Sequence, residues 1–283
     1  MAAPRIASLI DEGAARLRGL PNGRLDAELL FREVSGLTLA QILADPAQTV
    51  NERVADAFGA AIARREGNEP VQYILGRASF WRDEFKVTPA VLIPRPETEV
   101  LVESVARELR QAKAPTFLDI GTGSGCIALS LLRELPAARA VAVDVSAEAL
   151  DVARENARSL GLVDRVTFNR SRWLDAVETR RFDAIVSNPP YVASSDEASL
   201  PLDVRGFEPR LALFADPEDD LSSYRAILES VDDRVAPGGL IAFEVGLGQA
   251  ARVLELIRER GYQSLDLRDD LQGIPRVFLG RRG

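Results

Sequence analysis

Residues 117–125 read FLDIGTGSG, a short apolar run that leads directly into three glycines at alternate positions. The apolar run predicts a buried strand, and the glycines permit a tight turn whose backbone approaches a ligand closely. A helical stretch begins at Cys126, and the first turn of a helix has free N–H donors. This order predicts the first unit of a sheet covered by helices, although the glycines alone are equally consistent with a turn that binds nothing.

Downstream of Pro115 the sequence alternates short apolar runs with helical stretches, which is typical of a mainly parallel sheet with helices on its faces. Strands are predicted at 116–120, 140–145, 165–169, 182–187 and 240–245, with two more near 263–267 and 276–279. Ser146 is expected to cap the helix after the second strand, and Gly161 is expected to end it. The predicted fold class is α/β with a doubly wound sheet.

Two other regions precede this sheet. Residues 1–75 contain four amphipathic stretches separated by glycine and proline, which predicts a helical domain. Residues 76–92 change to aromatic and β-branched side chains, which indicates a hairpin-like linker. The predicted organisation is therefore a helical domain at 1–75, a hairpin linker at 76–92 and an α/β domain at 93–283.

Composition excludes several kinds of chemistry. The 283 residues include no His and one cysteine, Cys126, so Ser-His-Asp or Cys-His catalysis, an internal disulfide and a multi-cysteine zinc site are excluded. Cys126 is interpreted as a small buried residue. The net charge of −8 argues against a broad nucleic-acid surface, and no apolar stretch approaches the ~18 residues of a membrane span. We expect a cytoplasmic protein without a metal, a membrane contact or direct nucleic-acid binding.

The glycine pattern differs from the dinucleotide fingerprint G-x-G-x-x-G, because Cys126 stands where the last glycine is expected. This favours S-adenosylmethionine over NAD, since the former has no pyrophosphate to cradle. Asp144 ends the next predicted strand, where a carboxylate can accept hydrogen bonds from both ribose hydroxyls. The alternative is that Asp144 simply precedes the Ser146 cap.

Residues 188–191, NPPY, follow the fourth predicted strand, and their turn signals predict a rigid loop. Rigidity suits a reaction at an amide or aromatic amine nitrogen, whose delocalised lone pair makes it a poor nucleophile. The Asn188 side-chain oxygen and the Pro189 carbonyl can accept its two N–H bonds. Pro190 would hold that carbonyl and Tyr191 would cover the planar face. No general base is needed beforehand, because the methylated nitrogen becomes acidic.

The glycine-rich turn, Asp144 and NPPY together resemble class I S-adenosylmethionine-dependent N-methyltransferases. The stretches IPRPETE at 93–99 and LDAELL at 25–30 narrow the resemblance to the HemK/PrmC family, over nearly the whole chain. The resemblance implies a Rossmann-like sheet with a final antiparallel strand. It also implies methylation of the glutamine N5 in the Gly-Gly-Gln motif of peptide-chain release factors, by an enzyme expected to be a monomer.

The resemblance also implies roles for individual residues. It assigns cofactor binding to Asp119, Gly121, Thr122, Gly123, Ser124, Gly125, Asp144, Trp173 and Asn188. It assigns the substrate glutamine to Asn188, Pro189, Pro190 and Tyr191, with Asn188, Pro189 and Tyr191 as the catalytic residues. Trp173 is also consistent with an ordinary core residue, and Arg172 replaces the acidic residue of the family pattern. Arg95 is expected either to contact the substrate backbone or to pair with an acid of a helix.

Other functions stay open from the sequence. The sister family methylates a glutamine of a ribosomal protein. Adenine-N6 DNA methyltransferases share N-P-P-Y, but this chain has an excess of acids and no evident target-recognition domain. A non-catalytic nucleotide-binding module or an NAD enzyme would need only the glycine-rich turn.

Overall fold

The computed structural model describes residues 3–282, so residues 1, 2 and 283 of the predicted domains lie outside it. The α-helices are α1 (Ile6–Arg16), α2 (Gly23–Ser35), α3 (Leu39–Ala44), α4 (Glu52–Glu66), α5 (Val71–Leu75), α6 (Glu99–Leu109), α7 (Cys126–Glu134), α8 (Ala147–Ser159), α9 (Leu202–Phe207), α10 (Arg210–Leu213), α11 (Ser222–Ser230) and α12 (Ala250–Glu259). The strands are β1 (Arg77–Phe80), β2 (Asp83–Lys86), β3 (Thr116–Ile120), β4 (Arg139–Asp144), β5 (Val166–Arg170), β6 (Phe182–Ser187), β7 (Val235–Glu244), β8 (Tyr262–Asp269) and β9 (Pro275–Arg282).

Contacts divide the chain into two compact units. Among the described residues, one unit contains 3–76 together with Pro201–Phe207, and the other contains Arg77–Leu200 together with 208–282. The predicted domains did not include the return of 201–207 to the N-terminal unit. Within residues 3–282, no helix is both long and apolar enough to span a bilayer.

The N-terminal unit is built from α1–α5 and α9 around its own apolar core. The Phe31 and Phe58 rings meet edge to face inside it, with centroids 5.4 Å apart. Asp26 and Arg65 form an ion pair at 2.7 Å, and both side chains are less than a tenth exposed. Arg65 also lies 3.8 Å from Asp203, which gives α9 a charged contact within this unit.

The larger unit contains a seven-stranded sheet in the order β5-β4-β3-β6-β7-β9-β8. Strands β3–β7 pair in parallel, whereas β9 runs antiparallel to both β7 and β8, so the predicted α/β sheet with a final antiparallel strand is confirmed. Successive strand residues face opposite sides of a sheet. Accordingly, Phe117 belongs to the apolar cluster on one face, whereas Leu118 and Ile120 belong to the cluster on the other.

The linker is an antiparallel hairpin, as predicted, in which β1 pairs with β2. The hairpin is anchored to α8, because the Lys86 backbone N–H donates to Asn156 Oδ1 at 2.7 Å and Asn156 Nδ2 donates back to the Lys86 carbonyl at 3.1 Å. Asn156 Nδ2 also donates to the Ser124 carbonyl at 2.9 Å, which connects the hairpin to the glycine-rich turn.

Sheet order determines where a ligand site is expected. The chain runs outward from β3 to β4 and β5 on one side and to β6 and β7 on the other, so the order reverses between β3 and β6. Ligands of open α/β sheets bind beyond the carboxyl ends of the strands at such a reversal. The glycine-rich turn and NPPY both begin there.

Candidate active site

Two loops leave the sheet side by side at the carboxyl ends of β3 and β6. Ile120 is paired in register with Ser187, and the Ser187 hydroxyl donates to the Ile120 carbonyl at 2.7 Å. The next residue along each strand is Gly121 on one side and Asn188 on the other. The structure therefore brings the glycine-rich turn and NPPY together.

The backbone of the glycine-rich turn requires glycine. Gly121, Gly123 and Gly125 have φ values of +72°, +55° and +82°, a region that other residues rarely adopt. A Cβ added to Gly121 or Gly123 would meet no atom of the structure within 4 Å, whereas one on Gly125 would meet Leu129 Cδ1 at 3.1 Å. Gly121 and Gly123 thus border open space, and Gly125 allows α7 to pack closely.

Asp144 connects two backbone segments at the end of β4. Its Oδ2 accepts from the Gly123 N–H and its Oδ1 accepts from the Ser146 N–H, both at 2.9 Å. Ser146 caps α8 as predicted, because its Oγ accepts from the Ala149 N–H. Burial raises the pKa of the Asp144 carboxyl, and the two backbone bonds act in the opposite direction. Each carboxylate oxygen can accept more than one hydrogen bond, so both earlier interpretations of Asp144 are compatible.

Asp119 is a fully buried carboxylate beneath the glycine-rich turn. Thr122 Oγ1 donates to its Oδ2 at 2.6 Å, whereas its Oδ1 is buried without a hydrogen-bond partner among the described residues. Burial raises the pKa of the Asp119 carboxyl to about 7, although hydrogen bonds from the Thr122 hydroxyl and the Ala128 backbone lower it. A buried, unpaired acceptor of this kind is what a ligand's donor group would satisfy.

Trp173 lies beside the end of β4. The Ser171 N–H donates to the Asp144 carbonyl at 2.9 Å, which holds this segment next to Asp144. Trp173 is half-buried against an apolar cluster and has a φ of +50°, which only well-determined surroundings maintain in a non-glycine residue. Arg172, which departs from the family pattern, is exposed.

NPPY is held by a hydrogen-bonded chain of side chains. Asn188 Nδ2 lies 3.2 Å from Thr98 Oγ1, and Thr98 Oγ1 lies 2.6 Å from Glu244 Oε2. The Tyr191 hydroxyl donates to the other oxygen, Glu244 Oε1, at 3.2 Å. Pro189 is buried between Asn188 and the half-exposed Pro190. Both ends of the loop therefore depend on one carboxylate.

Glu244 ends β7 in a fully enclosed position, with 2% of its surface exposed. Burial raises the pKa of its carboxyl, and the hydrogen bonds from Thr98 and Tyr191 act in the opposite direction. The pKa of the Tyr191 hydroxyl is raised well above its usual value, first by burial and then by the Glu244 charge. Tyr191 is therefore a hydrogen-bond donor at neutral pH and not a phenolate.

The backbone beyond NPPY is also fixed. Gln249 Nε2 donates to the Tyr191 carbonyl and to Asp220 Oδ2, both at 3.0 Å. Arg252 forms a two-pronged ion pair with Asp220 at 2.8 and 2.6 Å. The Val192 N–H donates to a backbone carbonyl of α10, at Leu213. These contacts restrain the loop at the rim of the sheet.

Two residues with open interpretations have clear surroundings. Arg95 pairs with Glu208 at 2.5 Å, and Glu208 also accepts from the Ile93 N–H at 3.0 Å. Arg95 thus pairs with an acid, but Glu208 lies between α9 and α10 and not in a helix as expected, and a contact of Arg95 with the substrate backbone stays a prediction. Cys126 is buried, and burial raises the pKa of its thiol to about 12, so it is not a nucleophile at neutral pH.

Sequence reasoning missed three residues that hold the site. These residues are Thr98, Glu244 and Gln249, and none of them was predicted as part of the site. One signal was available for Glu244, since it stands in the apolar strand LIAFEV at 240–245. A charged residue in a buried strand requires partners, and such partners are often functional.

Comparisons with known proteins agree with this geometry. The family model of the methyltransferase small domain matches residues 96–201, and that of the PrmC N-terminal domain matches residues 8–76. The chain is 44% identical over 265 residues to the release factor glutamine methyltransferase of Moorella thermoacetica, covering 93% of each. It is 42% identical to the protein of the same name from Rhodospirillum rubrum, covering 97% of this chain and 84% of that protein.

A solved methyltransferase structure from Pyrococcus furiosus shares the fold, with a TM-score of 0.50 at 19% identity. The match covers 80% of this chain and 98% of the solved chain. The resemblance inferred from NPPY and IPRPETE is confirmed by the relatives that match over nearly the full length. The chain thus belongs to the HemK/PrmC family of release factor glutamine methyltransferases.

Proposed function

We propose that this protein transfers a methyl group from S-adenosyl-L-methionine to the side-chain N5 of the glutamine in the Gly-Gly-Gln motif of peptide-chain release factors. Relatives at 38–44% identity are named release factor glutamine methyltransferase, and the family relation supports the same substrate for this protein. The observation that carries the proposal is the pairing of Ile120 with Ser187, since it sets a cofactor-type loop beside an amide-binding loop.

The residues present fit S-adenosyl-L-methionine. Open space borders Gly121 and Gly123, the unpaired Oδ1 of Asp119 can accept from an ammonium group, and Asp144 has acceptor capacity for a ribose. Trp173 would offer its flat face to the adenine. When bound, this cofactor supplies a methyl group on a sulfonium and leaves as S-adenosyl-L-homocysteine.

The acceptor loop would orient a carboxamide nitrogen. Asn188 Oδ1 and the Pro189 carbonyl would accept its two N–H bonds, and the Tyr191 ring would cover its planar face. Acceptors aimed at a nitrogen that becomes cationic stabilise the transition state more than the ground state, by about 2–4 kcal/mol each, by analogy with oxyanion-hole donors. Positioning costs little at the time of reaction, because the loop is already held by Glu244 and Gln249.

Proton removal would need no side chain of the protein. Once methylated, the nitrogen is acidic and gives its proton to water. Glu244 is 2% exposed and is enclosed beneath the loop with Thr98 and Tyr191 as its hydrogen-bond donors, so we assign it no role as a base.

The N-terminal unit is proposed to hold the protein substrate, because a single glutamine offers little binding area. A short Gly-Gly-Gln peptide should then have a much higher KM than an intact release factor, with a similar kcat. Equal KM values would argue against a substrate-binding domain. We also propose that the enzyme is a cytoplasmic monomer without membrane or nucleic-acid contacts. Light scattering at assay concentrations would test whether it is a monomer.

The direct test is mass spectrometry of a release-factor tryptic peptide after incubation with enzyme and cofactor. We expect one added methyl group on the glutamine that follows two glycines. A release factor with Glu at that position is the matched control and should gain none. Faster labelling of a ribosomal protein or of adenine in DNA would contradict the proposal, as would calorimetric binding of NAD instead of S-adenosyl-L-homocysteine.

A further inference from the structure

The Asn188 carboxamide can face its substrate in two ways, and only one of them is productive. Its oxygen accepts hydrogen bonds and its nitrogen donates them. A glutamine amide about to be methylated presents N–H groups, so it requires the oxygen. We infer that Glu244, acting through Thr98, fixes the Asn188 side chain with its oxygen toward the substrate, an inference that rests on the proposed function.

The number of protons along this chain of contacts fixes the direction of each hydrogen bond. The Thr98 hydroxyl donates to Glu244 Oε2 at 2.6 Å and the Tyr191 hydroxyl donates to Oε1 at 3.2 Å, so the carboxyl group of Glu244 is the acceptor on both sides. A hydroxyl has a single proton, so Thr98 has only lone pairs left for its other neighbour. The atom of Asn188 that faces Thr98 at 3.2 Å must therefore be the donor, Nδ2. In a planar carboxamide, Oδ1 then lies on the other branch, away from Thr98.

The sheet explains why Glu244 is in position to act. Phe243 of β7 is paired in register with Ser187 of β6, so Glu244 and Asn188 follow at the same level on neighbouring strands. Thr98 reaches the same point from the short 3₁₀ turn Pro96–Thr98 before α6. Three segments distant in sequence thus meet at one carboxylate, and all three belong to the larger unit.

The second oxygen of the carboxylate gives the arrangement its stiffness. It accepts from the Tyr191 hydroxyl, so Glu244 holds the loop at both Asn188 and Tyr191. The Tyr224 hydroxyl donates to the backbone carbonyl of Glu244 at 3.0 Å, which steadies the strand end. Burying a carboxylate is costly, and here two hydroxyl groups, those of Thr98 and Tyr191, satisfy its two oxygens.

Thr98 is therefore a positioning residue and does not itself touch the substrate. Thr98→Val keeps the shape of the side chain and removes the hydroxyl. The Asn188 Nδ2 group then has no acceptor at this position, so nothing favours one orientation of the amide over the other. We expect kcat for a release factor to fall at least about tenfold, as for loss of a positioned hydrogen bond, while KM and the affinity for S-adenosyl-L-homocysteine stay within about twofold. Thr98→Ser, which keeps the hydroxyl, should restore kcat to within about threefold of the wild type.

Thr122→Val provides the matched comparison, because Thr122 also donates to a buried carboxylate, Asp119, but on the cofactor side. This variant should weaken binding of S-adenosyl-L-homocysteine in calorimetry. The inference is overturned if Thr98→Val keeps the wild-type kcat, if Thr98→Ser is as slow as Thr98→Val, or if Thr98→Val loses cofactor affinity as Thr122→Val does. A wild-type enzyme that leaves the release factor unmethylated would instead refute the proposed function.

Discussion

A buried carboxylate lies beneath each of the two loops, but the two carboxylates differ in how completely they are satisfied. Asp119, under the glycine-rich turn, accepts from Thr122 at one oxygen and has an unpaired second oxygen within the described residues. Glu244, under NPPY, accepts from a hydroxyl at each oxygen. On the proposed function, a ligand would complete the cofactor side, whereas the carboxylate on the acceptor side already has a hydroxyl donor at each oxygen.

Because of this difference, cofactor affinity and kcat are expected to depend on different sides of the site. Changes on the cofactor side should alter affinity and stability, because a ligand's own groups supply the missing partners. Changes on the acceptor side should alter kcat, because that loop aims atoms at a transition state. Each prediction below breaks this division if it fails.

Asp119 should make the free energy of unfolding strongly dependent on pH. Its pKa is raised to about 7 from 3.8, so the folded state favours the neutral acid. The free energy of unfolding should be highest below about pH 4, where Asp119 is protonated in both the folded and the unfolded chain. It should fall by as much as about 4 kcal/mol as the pH rises through about 7, because only the unfolded chain ionises this carboxyl readily. In Asp119→Asn this pH-dependent loss should be absent, as measured by urea unfolding across that range. Asp151→Asn, at an exposed carboxylate of α8, is the control.

If Asp119→Asn shows the same decline of unfolding free energy with pH as the wild type, the buried carboxyl is not the group that titrates. Saturating S-adenosyl-L-homocysteine should also reduce the wild-type decline, because its ammonium would pair with the ionised acid.

Asn188→Ala should remove the side-chain oxygen that accepts from the substrate amide. We expect kcat for a release factor to fall by about 10²–10³, the usual effect of removing one positioned transition-state contact. Calorimetry should show the affinity for S-adenosyl-L-homocysteine retained. Unchanged turnover would remove the role proposed for Asn188.

Gly121→Ala should separate ligand contact from backbone strain. Gly121 and Gly161 both have positive φ, +72° and +69°, and an added Cβ meets nothing within 4 Å at either. Both alanine variants should lose about 1 kcal/mol of stability from strain. Only Gly121→Ala should weaken binding of S-adenosyl-L-homocysteine, by about tenfold, because its Cβ fills the space beside the turn. Equal affinities in the two variants would show that no ligand lies there.

The smallest effect is expected for Asp144→Asn. An asparagine retains one acceptor oxygen but loses the charge, so one backbone bond to Gly123 or Ser146 is lost and the ribose contact is weakened. We expect a several-fold rise in the Kd for S-adenosyl-L-homocysteine, with kcat at saturating cofactor close to the wild type. A large fall in kcat alone would place Asp144 on the acceptor side of the division.

Local patterns in the sequence were sufficient for much of the fold. The strands β3 and β6 were predicted at their observed limits, because each is an apolar run with a clear turn signal after it. By contrast, β7 begins at Val235, five residues before its predicted start, and it includes Gly238 and Gly239. Pairing with β6 extends the strand through those glycines, with a register shift between Phe182 and Ala184.

The site was predictable where it is continuous in sequence and not where distant segments meet. NPPY and the glycine-rich turn are short motifs, and the pairing register of β3 with β6 is sufficient to bring them side by side. The contact of Thr98 with Glu244 spans 146 positions and depends on how α6 begins against the end of β7. The left-handed backbone of Trp173 and the return of 201–207 to the N-terminal unit likewise result from tertiary packing, which no local pattern encodes.

The most direct test is a crystal structure of the enzyme with S-adenosyl-L-homocysteine and a Gly-Gly-Gln peptide. The account predicts that Asn188 Oδ1 lies about 3 Å from the glutamine side-chain nitrogen while Asn188 Nδ2 still faces Thr98. A glutamine bound elsewhere, or an NPPY loop turned away from the cofactor, would contradict it.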